Sequence, residues 1–282
     1  EIAGNNKSKN EYMNDHCYHV DTLTFQKGLL DKGLDAVYIL LLKGSDRTGK
    51  AYSQIHTYKL SKNYHVIVNS GFKKCGKQLC DQKPYYDLMD ANVYAMKHAD
   101  KMGYENVMIL EDDYVFDDRI RYPSVISDLI DFWNNRLFHL YSLGSVNFIQ
   151  SDIFTKHPKI ICSGASQSMV FSRVGRSQIL REFRNNPCLE TPLKVLIDFK
   201  GHDMWYNFSV NHKYAYYKPL CYQTFPDTEN RATWNNSLTD VILRLLKLDT
   251  RVQPGWDILY IMMYVLNILF IILIVGLVIK LT

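Results

Sequence analysis

The stretch that decides the fold is Val107-Met108-Ile109-Leu110-Glu111-Asp112-Asp113, in which four apolar residues run directly into three carboxylates. A short apolar run behind a helical pattern is typical of a buried strand in a parallel sheet. Ligands of open α/β sheets bind at the carboxyl ends of such strands. The stretch therefore predicts an α/β fold with a ligand site at residues 111–113. The alternative interpretation is an acidic turn on the surface.

The three carboxylates indicate a divalent cation. Adjacent acids repel each other, and their hard oxygen atoms suit Mg²⁺ or Mn²⁺. A cation there could hold the diphosphate of a nucleotide and neutralise its charge as it departs. The aromatic and apolar residues at 114–116 favour such a site over a surface turn.

The residues before this stretch predict a βαβ unit. An apolar run at 36–42 is followed by a polar turn, a short helix to about residue 60 and a second strand at 64–68. In the turn, Lys43 and Arg47 are candidates to meet a phosphate or a base, together with backbone amides. The glycines of the turn match no Walker or dinucleotide fingerprint.

The residues after the unit continue the alternation. We predict helices over 84–102, from Pro123 onward and near 175–183, and strands at 137–143, 159–162, 169–171 and 214–221. This pattern predicts one α/β domain over residues 35–235, with a mixed sheet flanked by helices. Residues 1–34 are polar and predict an irregular segment.

The C-terminal residues predict a membrane anchor. Residues 258–279 are apolar almost throughout, and as a helix they would span about 33 Å, enough for a hydrocarbon core of about 30 Å. A buried core helix is the alternative, which this length and uniform hydrophobicity disfavour. We therefore predict a helical neck at 236–255, broken by Pro254-Gly255, and a single-pass transmembrane helix at 256–282.

The flanking charges predict the side of the membrane. Arg244, Lys247 and Arg251 precede the span, and Lys280 alone follows it. The positive-inside bias therefore predicts that the domain faces the cytoplasm. Because the chain begins at Glu1 without a methionine, we also expect that an upstream segment is missing.

The number and spacing of the cysteines agree with a reducing compartment. There are six, without the density or spacing of a disulfide scaffold. Cys75 and Cys80 could pair, or could lie in a loop rich in lysine and glycine. Glycosylation sequons at Asn6, Asn207 and Asn235 are interpreted as chance occurrences.

Two further groups of residues are candidates for chemistry. Asp203 could deprotonate an acceptor hydroxyl, and His202 beside it could complete a metal site. The alternative is a helix start with Asp203 as its cap. Ser166 and Gln167 lie in a turn of small residues, which would let a ligand approach the backbone. Tight hairpin packing explains that turn equally well.

Several of these stretches together resemble one known group of enzymes. They are residues 37–41, 109–116, 164–171, 202–203 and 219–230. Over roughly residues 35–235 the sequence resembles the metal-dependent GT-A glycosyltransferases. It is more similar to their family 25-like branch, the lipopolysaccharide and collagen galactosyltransferase relatives, and nearest to members encoded by large DNA viruses.

The resemblance implies a GT-A-like, Rossmann-like mixed sheet, a UDP- or GDP-sugar donor, and Mn²⁺ or Mg²⁺. It implies Asp113 as the main metal ligand, Asp112 near the ribose or donor sugar, and Asp203 as the base of an inverting reaction. The other expected residues of the metal and donor sites are Glu111, His202, Lys43, Arg47, Ser166 and Gln167.

We therefore expect a membrane-anchored transferase that moves a sugar to a hydroxyl of a glycan or glycoprotein. The formal charge of +4 is dispersed, so no nucleic-acid partner is expected. The alternative is a non-catalytic, virion-associated protein that ties a viral capsid or coat to a membrane with a glycosyltransferase fold. A phosphatase or nuclease is disfavoured, since no second acidic cluster is found for a two-metal site. One open cleft shared by Asp113, Asp203 and residues 43–48 would favour the enzyme.

Overall fold

The computed structural model describes residues 14–165, 167–190, 202–225, 238–248 and 252–281. Its strands are β1 (Tyr18–Thr24), β2 (Ala36–Leu42), β3 (Asn63–Asn69), β4 (Asn106–Glu111), β5 (Tyr114–Phe116), β6 (Leu140–Ser142), β7 (Val146–Ser151), β8 (Lys159–Gly164), β9 (Ser168–Ser172), β10 (Lys213–Ala215) and β11 (Cys221–Gln223). Its helices are α1 (Thr48–Tyr58), α2 (Phe72–Cys75), α3 (Pro84–Lys101), α4 (Pro123–Asn135), α5 (Arg173–Asn185), α6 (His202–Ser209), α7 (Leu238–Leu245) and α8 (Val252–Leu281).

Within these residues, nine strands form one mixed sheet in the order β1-β3-β2-β4-β9-β6-β10-β8-β7. Strands β3, β2 and β4 are parallel neighbours, whereas β9 runs antiparallel to both β4 and β6. Strands β5 and β11 pair separately as a two-stranded antiparallel sheet. The predicted mixed sheet with flanking helices is therefore confirmed.

The apolar run of β2 is continuous because both faces of the sheet are covered. Val37, Ile39 and Leu41 face a core built with α1 and α4. Their neighbours Tyr38 and Leu40 face a second core built with α3, α5 and α6. Successive residues of a strand point to opposite faces, so a strand covered on both sides needs apolar residues throughout.

Two predicted elements are wrong. The N-terminal segment is not wholly irregular, since β1 pairs antiparallel with β3 along its full length. Its side chains are half-buried or exposed, so this edge strand carries no apolar run. The run at 214–221 is not one strand but the two short strands β10 and β11, which lie in different sheets. The edge strand β7 was not predicted.

The interpretation of the cysteines is also wrong. Disulfides join Cys17 to Cys75 and Cys80 to Cys188, with Cα–Cα distances of 5.7 and 5.2 Å, and leave Cys162 and Cys221 free. Sequence reasoning missed both pairs because the partners are 58 and 108 residues apart. Disulfides persist in oxidising compartments and are rare in the cytosol. They therefore count against a cytoplasmic domain.

Helix α8 contains a candidate membrane span. Among the described residues, the stretch Gln253–Leu273 is the one that is long and apolar enough to cross a bilayer, with a mean hydropathy of 2.1. Regular helix geometry is interrupted at Gln253, next to the predicted break. The start of α8 is packed, since Trp256 and Leu259 form a small core with Tyr222 and with Leu243 of α7. The predicted neck and anchor are therefore joined to the domain.

Candidate functional site

The carboxyl ends of β2, β3 and β4 meet at one edge of the sheet, as parallel neighbours must. Each strand leads into a segment that lines a single open cavity of about 630 Å³. These segments are residues 43–47 after β2, 70–74 after β3 and 111–113 at the end of β4. Gln223 and Phe225, at the end of β11, close another side. The structure thus brings the predicted turn and the predicted acids together.

Asp112 is held by the turn after β2. Arg47 Nη1 lies 3.0 Å from its Oδ1, and the Ser45 hydroxyl donates to its Oδ2 at 3.1 Å. Burial raises the pKa of Asp112 to about 6, although Arg47 and Ser45 both lower it. The ion pair is largely buried, with the Arg47 side chain 21% exposed. Arg47 and Asp112 therefore form one rigid element at the cavity wall.

Asp113 is the carboxylate that best fits a cation. Its Oδ2 accepts a hydrogen bond from Gln223 Nε2 at 3.0 Å. Its Oδ1 is buried and has no hydrogen-bond donor among the described residues. Burial raises the pKa of Asp113, and the neighbouring charges of Glu111 and Asp112 raise it further. A buried acceptor without a donor is costly, and a bound metal ion would satisfy it.

The remaining cavity wall carries charges of both signs. The half-buried Glu111 lines the cavity beside Asp113, and its backbone N–H donates to the Gln167 carbonyl at 3.1 Å. Basic residues of two segments line the same cavity: Lys43, Arg47, Lys73 and Lys74. The carboxylates can bind a divalent cation, and the basic side chains beside them can bind a negatively charged ligand. Together they suit an anionic ligand with a bound divalent metal ion.

The structure does not place Asp203 on the cavity wall. It lies in the first turn of α6, and its Oδ2 accepts a hydrogen bond from the Ala165 backbone N–H at 3.1 Å. Burial, followed by the charges of Asp203 and Glu111, raises the pKa of the Tyr206 hydroxyl well above its ordinary value.

Three other predicted site residues have different outcomes. Gln167 is fully buried, and its side-chain amide donates to the Gly144 carbonyl, so it supports the fold and does not reach the cavity. The structure thus holds the Gln167 side chain away from the cavity, and its binding of the donor stays a prediction. Ser166 lies outside the described residues, and so does the side chain of His202, whose backbone begins α6.

Sequence reasoning missed the wall after β3 and the contribution of β11. The segment after β3 contributes Phe72, Lys73 and Lys74 at the same edge of the sheet as the acids. The parallel βαβ pattern could have predicted that this segment lines the cavity. Gln223 gave no such signal, because it lies 110 residues after Asp113 in a three-residue strand.

The site is connected to the first turn of α8. Trp256 Nε1 donates to the Gln223 carbonyl at 2.9 Å, and its ring stacks on Phe225 with the centroids 5.9 Å apart. Next to this contact, Asp117 accepts hydrogen bonds from Tyr222, Arg119 and Gln253. The residues that enter the predicted membrane helix therefore also support a strand of the cavity wall.

Comparisons with known proteins give weak similarity. No protein-family model and no curated protein matches the chain. A solved structure of A197 from STIV is similar at 12% identity and a TM-score of 0.40, over 69% of this chain and 87% of that one. A glycosyltransferase involved in the glycosylation of the major capsid of PBCV-1 is similar at 12% identity and a TM-score of 0.37, over 70% and 98%. At these values the two similarities carry no inference about activity, and the family 25-like assignment stays a prediction.

Proposed function

We propose that this protein is a membrane-anchored, metal-dependent glycosyltransferase that moves a sugar from a UDP- or GDP-sugar to a hydroxyl of a glycan or glycoprotein. One observation carries the proposal. The open cavity at the carboxyl ends of β2, β3 and β4 combines the unsatisfied Oδ1 of Asp113 with basic residues from two neighbouring segments. That combination suits a nucleoside diphosphate with its divalent cation.

The donor set fits Mg²⁺ or Mn²⁺, because the acids at the cavity offer hard oxygen atoms. Asp113 and Glu111 would hold the ion, with His202 as a further candidate. A bound ion would neutralise the charge that develops on the departing diphosphate. Asp112 is already paired with Arg47, so we assign it to the donor sugar or ribose and not to the metal.

The chain supplies the other functions of the site in this proposal. The basic residues of the cavity would bind and orient the phosphates; they are Lys43, Arg47, Lys73 and Lys74. Asp203 would accept the proton of the acceptor hydroxyl in an inverting reaction. One of its oxygens accepts a hydrogen bond from the Ala165 backbone N–H.

The test uses the chain with its C-terminal helix, purified in detergent, with UDP- and GDP-sugars in the presence and absence of Mn²⁺. We expect a thermal shift and transfer or hydrolysis that require the metal, since a ligand of the native state raises its melting temperature. Asp113→Asn should abolish both effects. The matched control is Asp131→Asn, which changes an exposed aspartate of α4. A reaction that survives chelation would exclude the metal role.

A second candidate is a non-catalytic structural protein that links a viral capsid or coat to a membrane. The position of Asp203 favours it, because this carboxylate contacts the Ala165 backbone and does not line the cavity. Fold does not determine activity. Metal-dependent binding of a nucleotide sugar without turnover, for every acceptor tested, would support this candidate over the enzyme.

A further inference from the structure

Helix α8 is docked along the edge of the large sheet. Asn267, near the middle of its apolar stretch, is 2% exposed. Its Oδ1 accepts a hydrogen bond from the Gln150 backbone N–H at 2.8 Å, and its Nδ2 donates to the Asn147 carbonyl at 3.4 Å. Both backbone groups belong to β7, the last strand of the described sheet. The polar side chain and the strand edge thus satisfy each other.

The docked position lies inside the candidate membrane span. Asn267 is the last buried residue among the α8 side chains that the structure describes, and it falls within the stretch Gln253–Leu273. As a helix of 21 residues that stretch is about 32 Å long, which matches a hydrocarbon core about 30 Å thick. A helix that crosses the bilayer over this stretch therefore carries residues that are docked on β7 into the membrane.

The edge of the sheet presents a surface that lipid can cover. Phe148 of β7 is 45% exposed although it lies between the two residues that contact Asn267. Ile161 of β8 and Phe154 of the connecting turn are also exposed apolar side chains. The Gln150 backbone N–H and the Asn147 carbonyl are paired with Asn267. This matters because unpaired backbone groups are not tolerated against lipid.

We propose that the β7 edge, with Phe148 at its surface, lies in the bilayer beside α8, so that the domain is partly immersed and not tethered above the membrane. The proposal rests on the membrane anchor and is independent of catalysis. The partner is the lipid itself, because the apolar exposed face of α8 continues past the domain.

The experiment places the photo-crosslinking residue p-benzoylphenylalanine at one position of the full chain in phosphatidylcholine nanodiscs. The test position is Phe148. Leu273, 59% exposed and beyond the docked part of α8, is the positive control. His19 is the negative control, since it is exposed on β1 at the opposite end of the sheet, about 38 Å away by strand spacing. Lipid adducts are measured by mass spectrometry.

We expect lipid adducts at positions 148 and 273, roughly tenfold above position 19. Adducts at 273 without adducts at 148 would overturn the proposal, because the helix would then leave the domain when it enters the membrane. Crosslinks from 148 to a second copy of the chain would overturn it as well. Failure of position 273 to label lipid would instead refute the anchor, and activity assays would test the enzyme separately.

A second variant tests the docking itself. Asn267→Leu removes both hydrogen bonds to β7 but keeps an apolar helix. It should reduce labelling at 148, leave labelling at 273 unchanged, and speed amide exchange at Gln150. Unchanged labelling at 148 in this variant would show that Asn267 does not hold the edge in the membrane.

Discussion

Trp256 donates its indole N–H to the backbone carbonyl of Gln223, and Gln223 in turn donates its side-chain amide to Asp113. The two hydrogen bonds are 2.9 and 3.0 Å long. The first turn of the C-terminal helix is thus two contacts away from the proposed metal ligand. The helix that contains the candidate membrane span therefore supports a strand of the cavity wall.

Trp256→Phe should weaken both the fold and the site. The substitution keeps an aromatic ring against Phe225 but removes the donor to Gln223. We expect the free energy of unfolding to fall by about 1 kcal/mol and Mn²⁺-dependent donor binding to weaken. Calorimetry and a thermal-shift titration measure the two effects. Trp133→Phe is the control, because the Trp133 indole N–H has no acceptor among the described residues. Equal effects of both variants would argue against the contact.

Asp203→Asn separates a catalytic base from a residue that only binds the Ala165 backbone. Asparagine retains an oxygen that can accept from the Ala165 N–H, but it cannot take a proton from an acceptor. If Asp203 is the base, turnover should fall on the order of 10²- to 10⁴-fold with an unchanged melting temperature. Steady-state kinetics and thermal unfolding of the same preparation measure this. Turnover near the wild-type value would leave Asp203 with the contact to the Ala165 backbone alone.

The disulfides predict how the six cysteines react. Alkylation of the denatured protein without reductant should modify Cys162 and Cys221 alone, and prior reduction should expose all six. Each lost disulfide should cost about 2–4 kcal/mol of stability. Mass spectrometry of protein that is alkylated during cell lysis identifies the modified cysteines. Modification of all six cysteines without reductant would show that the disulfides are absent in the cell. The domain would then lie in a reducing compartment, as the flanking charges predict.

Asp117 predicts a stability change at acid pH. Burial raises the pKa of Asp117, but hydrogen bonds from Arg119 and Tyr222 outweigh that effect and bring it to about 2. A carboxylate with a lowered folded pKa stabilises the fold above the unfolded pKa, near 4, and this contribution is lost as the pH falls toward 2. The stability difference between wild type and Asp117→Asn, measured by urea unfolding, should therefore shrink over that range. A constant difference would contradict the assignment. Asp131→Asn provides the exposed control.

The sequence predicted the centre of the fold because that part is locally encoded. The apolar run of β2 and the acids after β4 are each contiguous. Parallel pairing then brings the two strand ends to one edge without further information. The same pairing brings Arg47 next to Asp112, an ion pair that the sequence analysis did not predict.

The remainder depends on contacts between distant segments. Gln223 meets Asp113 across 110 residues, and its three-residue strand is too short for a periodic pattern. Cysteine partners cannot be deduced from spacing when six cysteines allow 15 pairings. The fully buried Gln167 resembled a ligand-binding residue because a turn of small residues does not show which side chain turns inward.

The contact between Asn267 and β7 also bears on the solution behaviour of the protein. A sheet edge with free backbone groups is a template for pairing with another chain. The C-terminal helix covers that edge at Asn147 and Gln150. A fragment truncated before the helix to gain solubility would expose the strand and lose Trp256 in the same step. Such a fragment should self-associate through β7, and an inactive preparation of it would say nothing about the intact protein.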